Sequence, residues 1–288
     1  MREYQKVPLL SVNKVKPLSV AIAALVSLNS FVYASELTIV RQALQPGGFV
    51  LGTLTDCESY TLNSKTGRCD DKGQFIFGFG RDAKLQQQVE FKLKNGQALL
   101  YNFPLAARTY KEDKITGVAS KYVAPPDSVI KRIASDNKQI GAARKVDSDL
   151  NGYQQTFIWP SKGRISGVYG SRRIFNNVPK RPHFGLDVAA PTGTEVVAPA
   201  AGIIRLAHND MYYSGGTIIL DHGYGLTSTF IHLSKLDVKE GQVVKQGDKI
   251  AEIGATGRVT GAHLDWRINW FSERLDPAFW VKPGGNKK

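Results

Sequence analysis

Apolar and polar positions change their rhythm three times along this chain. Residues 18–32 form a short, nearly continuous apolar run interrupted by Ser19, Ser27, Asn29 and Ser30. Arg2, Lys6, Lys14 and Lys16 precede it, and Val32-Tyr33-Ala34-Ser35 follows it with small residues at the −3 and −1 positions of a cleavage site. This pattern predicts a secretory signal peptide over residues 1–34, with an uncleaved N-terminal anchor as the alternative. No other stretch is long and apolar enough to span a bilayer.

Between residues 35 and 122 the period shortens to that of strands. Runs at 36–41, 48–54, 74–79, 88–93 and 97–103 are separated by turn formers such as Pro46-Gly47-Gly48, Lys65-Thr66-Gly67, Asp71-Lys72-Gly73 and Asn95-Gly96. Residues 88–93 alternate apolar and polar side chains, as a half-buried strand does. The expectation is an all-β accessory domain, a small sandwich. Residues 123–152 differ again. Pro125-Pro126-Asp127 stops the sheet, and Val129, Ile130, Ile133, Ile140 and Ala143 recur near helical spacing, which predicts one amphipathic helix to about Arg144 and then a polar connector. From 153 to 288 the chain returns to strands, clearest at 194–204, 216–220, 226–233 and 249–254. The predicted fold is mostly β: an N-terminal small β-sandwich-like domain, a connecting helix, and a C-terminal antiparallel sheet or barrel-like domain.

Charge narrows the partners. The 288-residue chain carries a formal +13, which becomes +10 once Arg2, Glu3, Lys6, Lys14 and Lys16 leave with the signal segment. A basic protein associates with anionic surfaces. Export and the lack of any nucleic-acid-binding motif exclude nucleic acid as the partner and point to acidic polymers of the periplasm or cell envelope. The two cysteines, Cys57 and Cys69, both follow the signal segment and are expected to form a disulfide.

Candidate chemistry is concentrated in two segments of the C-terminal half. In Pro182-His183-Phe184-Gly185-Leu186-Asp187, strand parity places His183, Gly185 and Asp187 on one face and Phe184, Leu186 and Val188 on the other. In His263-Leu264-Asp265-Trp266 the same parity pairs His263 with Asp265. Histidine nitrogen and carboxylate oxygen are metal donors, and a catalytic site keeps one coordination position for water.

Around these motifs, the stretch from about Gly163 to Pro277 resembles the zinc endopeptidases of the lysostaphin/LytM type, which cut peptide cross-links in bacterial peptidoglycan. The resemblance runs through Arg164-Ile-Ser-Gly-Val-Tyr-Gly-Ser-Arg172, Pro182 to Pro191, Val197-Ala-Pro-Ala-Ala-Gly202, Leu220-Asp-His-Gly223, Ile231-His-Leu-Ser234, Val238 to Asp248 and Gly254-Ala-Thr-Gly257. It implies one Zn²⁺ held by His183, Asp187 and the residue at 265, with His232 and His263 as catalytic histidines. The family has a third histidine ligand where this chain has Asp265. A His, Asp, Asp set leaves a bound Zn²⁺ about neutral instead of about +1, which weakens activation of water and admits another divalent ion.

Three functional classes stay open at this level. They are an endopeptidase acting on peptidoglycan stem peptides, a catalytically inactive relative that regulates other cell-wall hydrolases, and a lipoyl-like carrier, which export and the absent hairpin lysine disfavour. Arg172, Asn176, Tyr212 and Tyr213 lie in loops expected to wall a substrate groove. His222 and His208 are expected to be structural, the first in a hairpin turn and the second in an exposed loop.

Overall fold

In the computed structural model, which describes residues 36–116, 125–175, 178–179 and 181–286, the runs between 37 and 104 fold into two antiparallel sheets. The expected signal segment and Asn176 lie outside the described residues. One sheet joins Leu37–Gln42, Phe49–Leu54 and Gln74–Gly78; the other joins Lys65–Arg68, Cys57–Leu62, Gln86–Leu93 and Ala98–Pro104. In Gln86–Leu93 the expected alternation buries Gln87, Val89, Phe91 and Leu93. Between the sheets, Phe75 and Phe91 meet edge-on at 4.8 Å beside Tyr60 and Phe77.

Two strands of this region escaped the apolar pattern. Cys57–Leu62 and Lys65–Arg68 form a hairpin whose turn, Asn63-Ser64, has φ of 48° and 64°. That is the left-handed geometry of a two-residue hairpin turn, carried here without the glycine that usually marks it. Cys57 and Cys69 are disulfide-bonded across the hairpin's base.

The helix forms where expected, as a 3-10 turn at Asp127–Val129 followed by Ile130–Arg144. Its buried face is shorter than the spacing predicts. Ile140 and Ala143 pack on Leu206, Met211 and Ile219, whereas Ile130 is exposed. Polar contacts fix the rest: Arg132 pairs with Asp210 (2.8 Å), Asp136 accepts from the Tyr212 backbone N–H (2.8 Å), and Arg144 donates to Thr229 Oγ1 (3.0 Å). No helix among the described residues is long and apolar enough to cross a membrane.

The second large element is an antiparallel sheet in the order Gly202–Met211, Gly215–Gly223, Leu226–Leu236, His263–Trp270, Leu186–Ala189, Arg164–Gly167. The strand expected over 194–204 is divided. Glu195–Val197 pairs with Lys249–Ile253, and pairing with the next neighbour resumes only at Gly202, after Pro199, which has no N–H to offer a ladder. Trp266, Ile268 and Trp270 form the inner face and continue the apolar core towards Tyr60.

Candidate metal centre

Strand His263–Trp270 has two unlike faces. Leu264, Trp266, Ile268 and Trp270 are fully buried on one; His263, Asp265, Arg267 and Asn269 share the other. Antiparallel pairing with Leu186–Ala189 sets Asp187 directly opposite Asp265. The expected strand from His183 to Asp187 begins only at Leu186. Pro182 cannot donate to a ladder, and His183 sits in irregular backbone fixed at both ends, its N–H to the Ser171 carbonyl (2.9 Å) and its carbonyl from the Gly170 N–H (2.7 Å).

From there the His183 ring still reaches both carboxylates. Nε2 lies 3.0 Å from Asp187 Oδ1, a close approach without hydrogen-bond alignment, and Nδ1 lies 3.9 Å from Asp265 Oδ2. One donor atom from each of His183, Asp187 and Asp265 falls within 4.8 Å of the others. Both His183 ring nitrogens are buried with no hydrogen-bond partner, an arrangement that native proteins rarely tolerate unless a ligand completes it. Two glycines make the space. A Cβ at Gly185 would stand 2.2 Å from Asp265 Oδ1, and one at Gly167 2.2 Å from Asp187 Oδ2. The donor set therefore fits a divalent cation.

Asp265 is not only a candidate ligand. Arg267, two residues on and on the same face, grips it with a fork of two hydrogen bonds, Nε to Oδ1 at 2.9 Å and Nη2 to Oδ2 at 2.6 Å. Burial works against the Asp265 charge, but Arg267 and then His183 hold its carboxyl well below the usual carboxylate range. Burial likewise opposes the Arg267 charge, and Asp265 outweighs it and raises the guanidinium's pKa. Each carboxylate oxygen keeps a second lone pair, so the fork does not use up Asp265's capacity as a ligand. It also changes the charge expected from the sequence. Asp265 with Arg267 is neutral, as a histidine would be, so Zn²⁺ on this set would carry about +1 instead of about zero.

The two histidines expected at the water meet beside this set, ring centroids 4.9 Å apart. His232 lies at a bulge where three steps of its strand oppose two of Gly215–Gly223, and its φ of 70° is rare for a residue with a side chain. Its N–H is held by the Ser214 carbonyl (2.8 Å) and its Nδ1 lies 2.9 Å from the Thr256 carbonyl. His263 Nδ1 lies 2.8 Å from the Gly261 carbonyl, and its Nε2 4.0 Å from Asp187 Oδ1. A carbonyl can only accept, so both rings carry their proton on Nδ1 and present Nε2 as a base. Burial, opposed by Asp265 and reinforced by the neighbouring His263, pushes the His232 pKa down to about 3, so this imidazole is neutral at physiological pH.

Residues 181–277 match peptidase family M23. The C-terminal region of the chain is a peptidase family M23 domain. The chain is 41% identical over 116 residues to the peptidoglycan DD-endopeptidase ShyA of Vibrio cholerae, covering 40% of this chain and 26% of that one. It is 30% identical over 122 residues to the murein hydrolase activator NlpD of Escherichia coli, covering 42% and 30%. The chain thus spans less than a third of either relative. A crystal structure of a putative M23 peptidase from Pseudomonas aeruginosa is 28% identical with a TM-score of 0.65, covering 83% of this chain and 95% of that one, so the likeness extends beyond the M23 domain itself.

The remaining expected residues divide. Tyr213 lines a cavity beside His232, with Arg258 stacked on its ring at 4.5 Å. Tyr212 lies under the helix through its backbone bond to Asp136. Arg172 is exposed on the strand Arg172–Phe175, which pairs in parallel with Glu112–Ile115. His222 is fully buried, bonded through Nδ1 to the Ala201 carbonyl (2.9 Å) and through Nε2 to Ser228 Oγ (2.8 Å), and burial lowers its pKa to about 4. His208 is a half-buried strand residue instead of a loop residue, its Nδ1 accepting from the Asp210 N–H (3.1 Å). Sequence reasoning missed Arg267, although strand parity from His263 and Asp265 leads to it, and missed Arg144 and Arg274, which no local pattern connects to the motif.

Proposed function

We propose that the chain is an exported, metal-dependent endopeptidase of the cell envelope that hydrolyses peptide cross-links of bacterial peptidoglycan. The observation that carries this reading is the convergence of the His183–Asp187 segment with His232 and His263, from three segments far apart in sequence, on one centre of an M23 domain, with both candidate catalytic histidines in the same Nε2-basic state. His183, Asp187 and Asp265 would hold the cation, and Zn²⁺ is the ion that best matches the family. A bound Zn²⁺ supplies Lewis-acid activation of the attacking water and the scissile carbonyl.

The chain's own groups do the rest. Nε2 of His232 or His263 takes a proton from the attacking water and returns it to the leaving amine. The bonds from Nδ1 to Thr256 and Gly261 hold both rings in the required tautomer through that exchange. The second imidazole borders the developing oxyanion. Purified mature chain is expected to release muropeptides from isolated peptidoglycan, and His232→Ala to lose that activity while keeping its fold by circular dichroism. Unchanged digestion by His232→Ala would remove His232 from the mechanism.

A second reading follows from the Asp265–Arg267 fork, which places a fixed cation beside the cation site and so weakens metal binding. On this reading the chain is a non-catalytic regulator of other wall hydrolases, the role named for NlpD. Peptidoglycan binding without metal and without cleavage would favour it.

A further inference from the structure

Beside the centre, at Asp265 and His232, lies a cavity of about 160 Å³, far above the ~10–15 Å³ that one water needs. Arg144, Arg258, Arg267 and Arg274 line it together with Asp265 and His232. Four arginines and one aspartate thus share the lining, and that aspartate is already gripped by Arg267. Arg144 comes from the helix, is 8% exposed, and has one neutral partner, the Thr229 hydroxyl; its Nε is buried without a hydrogen bond. Arg274 Nη1 is buried and unpartnered as well. Burial and mutual repulsion make this arrangement costly. Burial and then the nearby Arg274 and Arg267 depress the Arg144 pKa well below its usual value, and burial and then Arg267 lower that of Arg274 to about 10.

A planar anion resolves the imbalance. It would accept from the unused Arg144 and Arg274 donors in the two-pronged geometry that guanidinium groups offer to carboxylates, and it would add negative charge to a cavity in which Asp265 is the one carboxylate among the described lining residues. We infer that this arginine pocket is a subsite for a carboxylate of the peptide substrate, seated next to His232 and therefore next to the bond to be cut. The inference rests on the peptidase reading for the identity of the ligand, but its chemistry is set by the arginines. It gives the helix Ile130–Arg144 a role in recognition, since Arg144 closes the pocket over the sheet. It also makes the enzyme selective for peptides that carry a free carboxylate beside the scissile bond over those in which that group is amidated.

The test uses the full mature chain and two acetylated peptides of the same sequence, one ending in a carboxylate and one in an amide, with affinity read by calorimetry under conditions without turnover. The carboxylate peptide is expected to bind about tenfold or more tightly, the scale of hydrogen bonds to charged groups. Arg274→Gln and Arg258→Gln are each expected to shrink that ratio towards one, and sodium acetate to compete with the peptide. Arg274→Gln is also expected to unfold at the same or a higher temperature than wild type, because it relieves repulsion; a fall in Tm together with an unchanged ratio marks Arg274 as structural and overturns the subsite. Equal affinity of wild type for both peptides overturns it as well. The two proposals fail separately. A chain that prefers the carboxylate peptide but never cuts peptidoglycan loses the peptidase reading and keeps the pocket; one that cuts peptidoglycan with equal KM for both peptide forms loses the pocket and keeps the peptidase reading.

Discussion

Around His183 two buried ring nitrogens have no hydrogen-bond partner, whereas on the facing strand both oxygens of Asp265 are held by Arg267. The two sides of the centre use similar ligand types yet are left in opposite states. One is open for a ligand and costs stability without it; the other is already satisfied inside the protein. A buried polar group left unbonded is expensive, so the His183 side is the stronger pointer to a bound ion. On the proposed reading, Arg267, two residues along the same strand, supplies the counter-charge that would give Asp265 the net charge of a histidine ligand.

Breaking the fork has the largest expected effect on stability. Arg267→Gln leaves a buried carboxylate uncompensated, and the expected loss is about 3–5 kcal/mol in denaturant unfolding. Saturating Zn²⁺ should recover part of that loss if Asp265 is a ligand; identical unfolding with and without Zn²⁺ would separate Asp265 from the metal. The double change Asp265→His with Arg267→Gln removes both charges and recreates a His-x-His segment. It is expected to bind Zn²⁺ more tightly than wild type, since no cation then faces the ion, and to be more stable than Asp265→His alone, in which Arg267 loses its partner.

His222 supplies the contrast to His183, being equally buried but bonded at both nitrogens. Its folded pKa of about 4 lies below the unfolded value of about 6.5. Between these values the unfolded chain binds a proton that the folded chain does not, so stability falls as pH falls from about 6.5 to about 4, by roughly 3 kcal/mol in all, and is unaffected by this group above that window. Nuclear magnetic resonance titration should find the ring neutral at pH 5; a midpoint near 6.5 would refute its buried, neutral state. The smallest effect is expected at the surface. Arg132→Ala, which removes the exposed pair with Asp210, should cost no more than about 1 kcal/mol and leave carboxylate selectivity intact.

Strand parity made much of this centre legible. Alternation at 263 and 265 predicts the polar face on which His263 and Asp265 stand, one step short of Arg267 on the same face, and the run of matching motifs located the M23 domain. Parity failed at His183, because Pro182 ends the ladder before the strand begins, and the ring reaches the site from irregular backbone. The hairpin at Cys57–Leu62 was missed because its turn uses Asn63-Ser64 where glycine is the usual signal. The arginine pocket left no trace in any local window. Its residues come from the helix, a loop and two strands, and only tertiary packing brings Arg144 to Arg274.

On the proposed reading, this M23 domain holds and uses a metal ion despite its aspartate. Metal analysis of the purified mature chain, paired with digestion of isolated peptidoglycan, tests it most directly. The account predicts about one equivalent of Zn²⁺ per chain, metal-dependent release of muropeptides, and loss of both in a folded Asp187→Ala variant. A folded wild-type chain that takes up no divalent ion and releases nothing would contradict it.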